Sequence, residues 1–142
     1  VGSRSVAPGA LIGEIRRFID EALLAEGVLR TFMVDNGMTP VDRTLAHSWH
    51  GLVAQRGALP DGGRFYFHGI GCRIQVRDRP AVDVDWRGDV MIIDAWKIRT
   101  WLTDSGSPES DIKAIVSALE EMAATGEVAA SGWSSTFDVV RS

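Results

Sequence analysis

Between residues 64 and 102 the apolar side chains of this chain keep a period of two for long enough to dictate a sheet: RFYFHGIGCRIQVRDRPAVDVDWRGDVMIIDAWKIRTWL. Phe65 and Phe67 alternate with Tyr66 and His68, Cys72, Ile74 and Val76 with Arg73, Gln75 and Arg77, and Val82, Val84 and Trp86 with Asp83 and Asp85. Successive side chains of a strand point to opposite faces, so each run reads as a half-buried strand. Gly69 and Gly71 stand between the first two runs and predict a bulge or sharp bend in one long strand, or a close approach of another backbone. Asp78-Arg79-Pro80 predicts a tight turn whose register pairs Val76 with Val82, Ile74 with Val84 and Cys72 with Trp86. The same register sets Arg73 opposite Asp85 and Gln75 opposite Asp83 on the other face. Arg87-Gly88-Asp89 marks the next turn, and the unbroken apolar run 90–93 predicts a strand buried on both faces.

Helical periods flank this stretch. From 10 to about 26, Leu11, Ile12, Ile15, Phe18, Ile19, Ala22 and Leu23 recur at spacings of three and four, which is the apolar stripe of an amphipathic helix. Gly27 ends or bends that helix, or the apolar residues up to Val34 extend it to the turn signal Asp35-Asn36-Gly37. Thr39-Pro40 reads as an N-cap and first helical position for a second helix through Leu45, Trp49 and Val53 that ends near Gly57. Asp94 is the expected N-cap of a short helix with Ile98, Trp101 and Leu102 on its apolar side, closed by Asp104-Ser105-Gly106. Ser107-Pro108 predicts the start of a longer helix with Ile112, Ile115, Leu119 and Met122 in its stripe and Gly126 as its stop. The tail after Glu127 alternates weakly around Trp133, Phe137 and Val139 and adds one or two edge strands. These elements together predict an α+β domain over residues 10–142, with an antiparallel sheet of three or more strands packed by N-terminal and C-terminal helices. Residues 1–9 read as a disordered leader or cloning remnant.

Charge and composition narrow the functional classes. A chain of 142 residues buries about two-thirds of its unfolded surface and needs no disulfide. One cysteine fits a reducing, cytoplasmic compartment. No apolar run reaches the roughly 18 residues of a membrane span. The net charge of −4 argues against nucleic acid and anionic membrane as partners, because both are held by clustered Lys and Arg.

No motif matches a catalytic, cofactor or metal signature. His47 and His50 stand three apart on the second predicted helix, but no third ligand falls at a matching position and HExxH is absent. Asp83 and Asp85 form a carboxylate pair on one strand face, readable as a catalytic dyad served by His68 or as the acidic half of a cross-strand ladder. Cys72 alternates with the apolar set and points inward, where a thiol is inert. Arg64, Arg73, Arg77 and Arg79 make a local basic cluster without a phosphate-loop or dinucleotide pattern around Gly69 and Gly71.

The runs HGIGCRI, VDVDW and IDAWKI resemble the core signature of a family of small bacterial proteins classed as a domain of unknown function. Its pattern is His-Gly-x-Gly, then Val-Asp-Phe-Asp, then Phe-Asp-x-Trp-Arg-Leu. The likeness covers about residues 64–102. Val84 and Trp86 stand at phenylalanine positions of the pattern, Ile93 replaces Phe and Lys97 replaces Arg. The resemblance implies a shared fold and, by analogy of class, a likeness to immunity proteins of bacterial toxin systems. The functional expectation is therefore a protein–protein interaction domain that binds and inhibits a toxin through Asp83, Asp85, Trp86 and Asp89, with no cofactor and no metal. The alternative is a small hydrolase-like enzyme using His68 with Asp83 and Asp85.

Overall fold

The computed structural model describes residues 8–36, 56–68, 71–87, 90–107, 111–132 and 135–140. The predicted second helix, with His47, Trp49 and His50, lies almost wholly outside these residues, as do Asp89 and Trp133. The chain divides into two compact units, Asp20–Met91 and the pair of segments Val1–Ile19 and Ile92–Ser142. Among the described residues there are three helices and seven strands, every described pairing is antiparallel, and the fold is α+β.

Helix α1 (Pro8–Asp35) supplies residues to both units and runs unbroken through Gly13 and Gly27. Its buried positions, Leu11, Ile15, Phe18, Ala22, Ala25, Leu29 and Met33, follow one another at spacings of four or three along its whole length. A glycine costs a helix about 1 kcal/mol relative to alanine, less than one buried leucine contributes, so the stripe carries the helix past Gly27. Pro8 and Gly9, expected in the leader, belong to this helix.

In the unit of residues 20–91, four strands pair in sequence order: β1 (Arg56–Ala58), β2 (Arg64–His68), β3 (Gly71–Gln75) and β4 (Val82–Arg87). Residues 56–58 are thus a strand, where the sequence predicts the end of a helix. β2 and β3 are two strands of a hairpin, with His68 opposite Gly71, in place of the single bent strand expected. Phe65, Phe67, Cys72, Ile74, Val82, Val84 and Trp86 all face inward and are buried. Phe65 meets Phe67 edge-on with ring centroids 5.9 Å apart, and Phe32 of α1 lies 5.8 Å from Phe65.

The β3–β4 register differs from the expected one. Cys72 pairs with Val84, Arg73 with Asp83 and Ile74 with Val82. The connection is longer than a turn at residues 78–80: Arg77 has φ 50°, the Arg79 amide donates to the Val76 carbonyl at 2.9 Å, and the Gln75 side-chain amide donates to the Arg79 carbonyl at 3.3 Å. The register slides by two residues, and because the side-chain period is also two, every face assignment survives while every partner changes.

In the other unit, the residues of β5 (Val90–Asp94) from Ile92 onward pair with β7 (Thr136–Val139), which pairs in turn with β6 (Val128–Ala130). Asp94 caps α2 (Ala95–Asp104) by accepting the Lys97 amide at 2.8 Å, as its position predicts. Helix α3 (Ile112–Ala124) is capped by Asp111, which accepts the Ala114 amide at 2.7 Å; Ser107 is not the cap. Gly126, at φ 84°, lets the chain leave α3 with the Glu127 amide bonded to the Met122 carbonyl. Phe18 of α1 packs edge-on to Trp101 at 5.5 Å, the Arg17 guanidinium lies 4.6 Å from the Trp101 ring centroid, and Arg16 holds Glu127 through two bonds of 2.6 and 2.9 Å. That pair lowers the Glu127 carboxyl below its ordinary range, chiefly through the hydrogen bond from Arg16.

Gly63 lies where backbone meets backbone: a Cβ there would sit 2.7 Å from the Gln75 carbonyl oxygen. Neither partner can rotate away, so Gly63→Ala is expected to lower stability by about 1–3 kcal/mol, read as a lower urea midpoint with unchanged slope.

Candidate functional surface

The solvent side of the β1–β4 sheet is written by the residues that alternate with its core. Directly opposed residues of an antiparallel sheet point to the same face, so the register lines up Arg56, Tyr66, Arg73 and Asp83 in one row across four strands. The next row holds Ala58, Arg64 and Gln75. Arg73 Nη1 donates to Asp83 Oδ2 at 3.0 Å, which ties the centre of the row to its acidic end. Arg79, expected beside Arg73, turns instead to Glu21 of α1 and bonds its carboxylate through two nitrogens.

Tyr66 stands in the middle of this face with 46% of its surface exposed. Around it the sheet forms an open concavity of about 1070 Å³, lined by Arg56, Arg64, Tyr66, Arg73 and Gln75 with Gly57 and Gly63 beside them. The glycine at 57 is required by packing, since a Cβ there would come within 2.8 Å of the Phe65 ring. Among the described residues Arg56 and Arg64 have no ion-pair partner. The face is therefore basic on β1 and β2 and acidic on β4, although the whole chain is acidic.

The site residues expected from sequence distribute unevenly over this surface. Asp83 is on the face and paired with Arg73, the partner expected for Asp85. Asp85 shares the face by its period, and its Oδ1 accepts the Trp86 amide at 2.8 Å. Trp86 is not on the face: it is 5% exposed and its indole packs 6.4 Å from Phe67. Asp89 and the His68 side chain lie outside the described residues. Cys72 is buried beneath the sheet, and loss of hydration pushes its thiol up to about 12.

Two features escaped the sequence. Glu26 lies beside the buried stripe of α1, four residues after Ala22 and three before Leu29, and it is 1% exposed. Trp86 Nε1 donates to Glu26 Oε2 at 2.6 Å and Arg30 lies 3.5 Å from the same oxygen, so burial of the indole drew a carboxylate in with it. The signal available in sequence was a glutamate adjoining the buried stripe with an arginine four residues on. The second feature is the exposed aromatic. The sequence directs attention to Trp86, whereas among the described residues Tyr66, and in the other unit Trp96 at 60% exposure, are the exposed large aromatic groups.

Glu26→Ala is expected to cost about 1–3 kcal/mol by stranding the indole N–H, with Glu26→Gln costing less because an oxygen acceptor remains; chemical denaturation compares them. Cys72 gives a pH signature. Its folded value of about 12 lies above the ordinary 9.0, so its contribution is intact below pH 9 and is lost as pH rises towards 12. Stability is expected to fall as pH rises through that window, and Cys72→Ala to make the fall shallower in urea titrations.

Comparison with known proteins places this surface in a family whose description carries no activity. The family described as "Domain of unknown function (DUF6896)" matches residues 11–138. No curated protein matches the chain, and no solved structure does. The match takes in α1 from Leu11 onward, all seven strands but the last residue of β7, and both later helices. The chain is a member of the DUF6896 family.

Proposed function

We propose that this protein is a protein–protein interaction domain whose contact surface is the solvent side of the β1–β4 sheet. The observation that carries the reading is Tyr66: a large aromatic ring, 46% exposed, at the centre of a concave face and ringed by arginines. Tyrosine and arginine are the residue types most often found to carry binding energy at interfaces, and a tyrosine orders few torsions on docking. Arg73 is held in place by Asp83, so part of the face is preorganised. Asp83 and Asp85 remain in the surface as its acidic edge, and Trp86 supports them from beneath.

The finer reading is that of a cytoplasmic bacterial immunity protein that binds and inhibits a toxin. It is supported by the acidic balance and by the class-level likeness of the HGIGCRI, VDVDW and IDAWKI runs. The hydrolase reading built on His68, Asp83 and Asp85 has less behind it. Asp83 is engaged by Arg73, and Asp85 accepts the backbone amide that follows it.

The test is co-expression with the product of the adjacent gene, followed by gel filtration of the purified pair and a toxicity assay. A stable complex and restored growth are expected, with Tyr66→Ala weakening binding roughly tenfold or more while its melting curve stays near that of the parent. Failure of any neighbouring product to bind, or a Tyr66→Ala variant that binds as tightly as the parent, overturns the assignment of this face.

A further inference from the structure

We infer that the basic end of the β1–β4 face receives an extended segment of a protein partner that carries acidic residues at alternate positions. The inference rests on the interaction reading above and names the chemistry of the partner. Its ground is the placement of three guanidinium groups. Arg56 and Arg73 stand directly opposite Tyr66 on the strands to either side, and Arg64 is two residues from Tyr66 on β2 itself. Arg64 is therefore diagonal to both of the others, at about 7–8 Å between backbone positions. An extended chain repeats its side-chain direction every second residue, at about 6.6–6.8 Å. Carboxylates at positions i and i+2 of such a segment match this spacing, and each arginine fork can bind a carboxylate with two N–H groups.

The local charges favour this occupant over the alternatives. Arg56 and Arg64 have no ion-pair partner among the described residues, so binding an anion there breaks no ion pair described for them. Arg73 already holds Asp83, which leaves it able to share charge but not to dominate. A nucleic-acid strand would need several phosphates neutralised at once, and it would run onto Asp83 and Asp85 on a chain of net charge −4. A short acidic segment ends before that edge. The open form of the concavity suits a chain laid across it.

The probe is a fluorescein-labelled nonapeptide of alternating Glu and Thr, titrated with the whole protein by fluorescence anisotropy. Its controls are the same peptide with Lys for Glu, a peptide of equal composition with the Glu residues grouped together, and a ten-nucleotide oligothymidylate. The alternating peptide is expected to bind most tightly, to weaken about tenfold on Arg64→Ala and further on Arg64→Glu, and to weaken as NaCl is raised from about 50 to about 300 mM. Arg56→Ala should act in the same direction, and both residues are exposed, so circular dichroism should show the variants folded. Three results overturn the inference: equal binding of the lysine peptide, tighter binding of oligothymidylate, or no binding of any probe by folded protein. If a basic protein binds in a manner sensitive to Tyr66→Ala and Asp83→Ala while the acidic peptide does not, the interaction reading stands and this inference falls.

Discussion

The alternation of buried and exposed side chains along β2, β3 and β4 is the constraint on which the rest of the Asp20–Met91 unit depends. Seven inward residues from Phe65 to Trp86 must be covered, and the second part of α1 carries Ala22, Ala25, Leu29 and Met33 on one buried stripe. Trp86 brings an indole N–H into that interior, and an unbonded N–H there would cost about 1–3 kcal/mol, more than a typical hydrogen bond returns. Glu26 meets it, and Arg30 lies beside the carboxylate. The same alternation pushes every other residue outward, so the polar face is a by-product of the core before it is anything else. A face made this way is rigid, because its side chains stand on strands whose other side is packed.

That origin explains why the outward residues form a pattern with two electrical ends. Arg56 and Arg64 lie on β1 and β2, Asp83 and Asp85 on β4, and Arg73 with Asp83 joins them across β3. The net charge of the chain says nothing of this separation. A global balance sets long-range attraction, whereas docking is decided within a few ångströms, where three arginines around one tyrosine outweigh a mild overall negative charge. The protein therefore need not be limited to basic partners, which the composition alone would suggest.

The fold was largely legible in the sequence, and particular residues show where and why it ceased to be. Period-two runs and helical stripes are local properties, so the strand runs between residues 64 and 93, the apolar stripe of α1, the Asp94 cap and the inward direction of Cys72 could be read from residue types, whereas β1 could not. Register could not. The loop after Gln75 gains its length from a left-handed Arg77 and from hydrogen bonds among residues 75–79, and these slide the pairing by one full period. The division into β2 and β3 looked like one bent strand for a similar reason, since only the pairing of the two runs decides between them. Ser107 was the expected cap, and the helix begins instead after Asp111, whose carboxylate reaches the Ala114 amide.

By itself, then, the sequence determined an α+β fold, the two faces of the central strands and the burial of the thiol, because each follows from side-chain periodicity along a single element. Only the tertiary structure decided that Asp83 takes Arg73, that Trp86 is buried on Glu26, and that Tyr66 stands exposed among arginines from three strands. Those outcomes depend on which residues of separate elements come opposite one another. A shift of two positions leaves every local pattern satisfied while replacing every neighbour, and only the packing of the whole unit selects among such shifts.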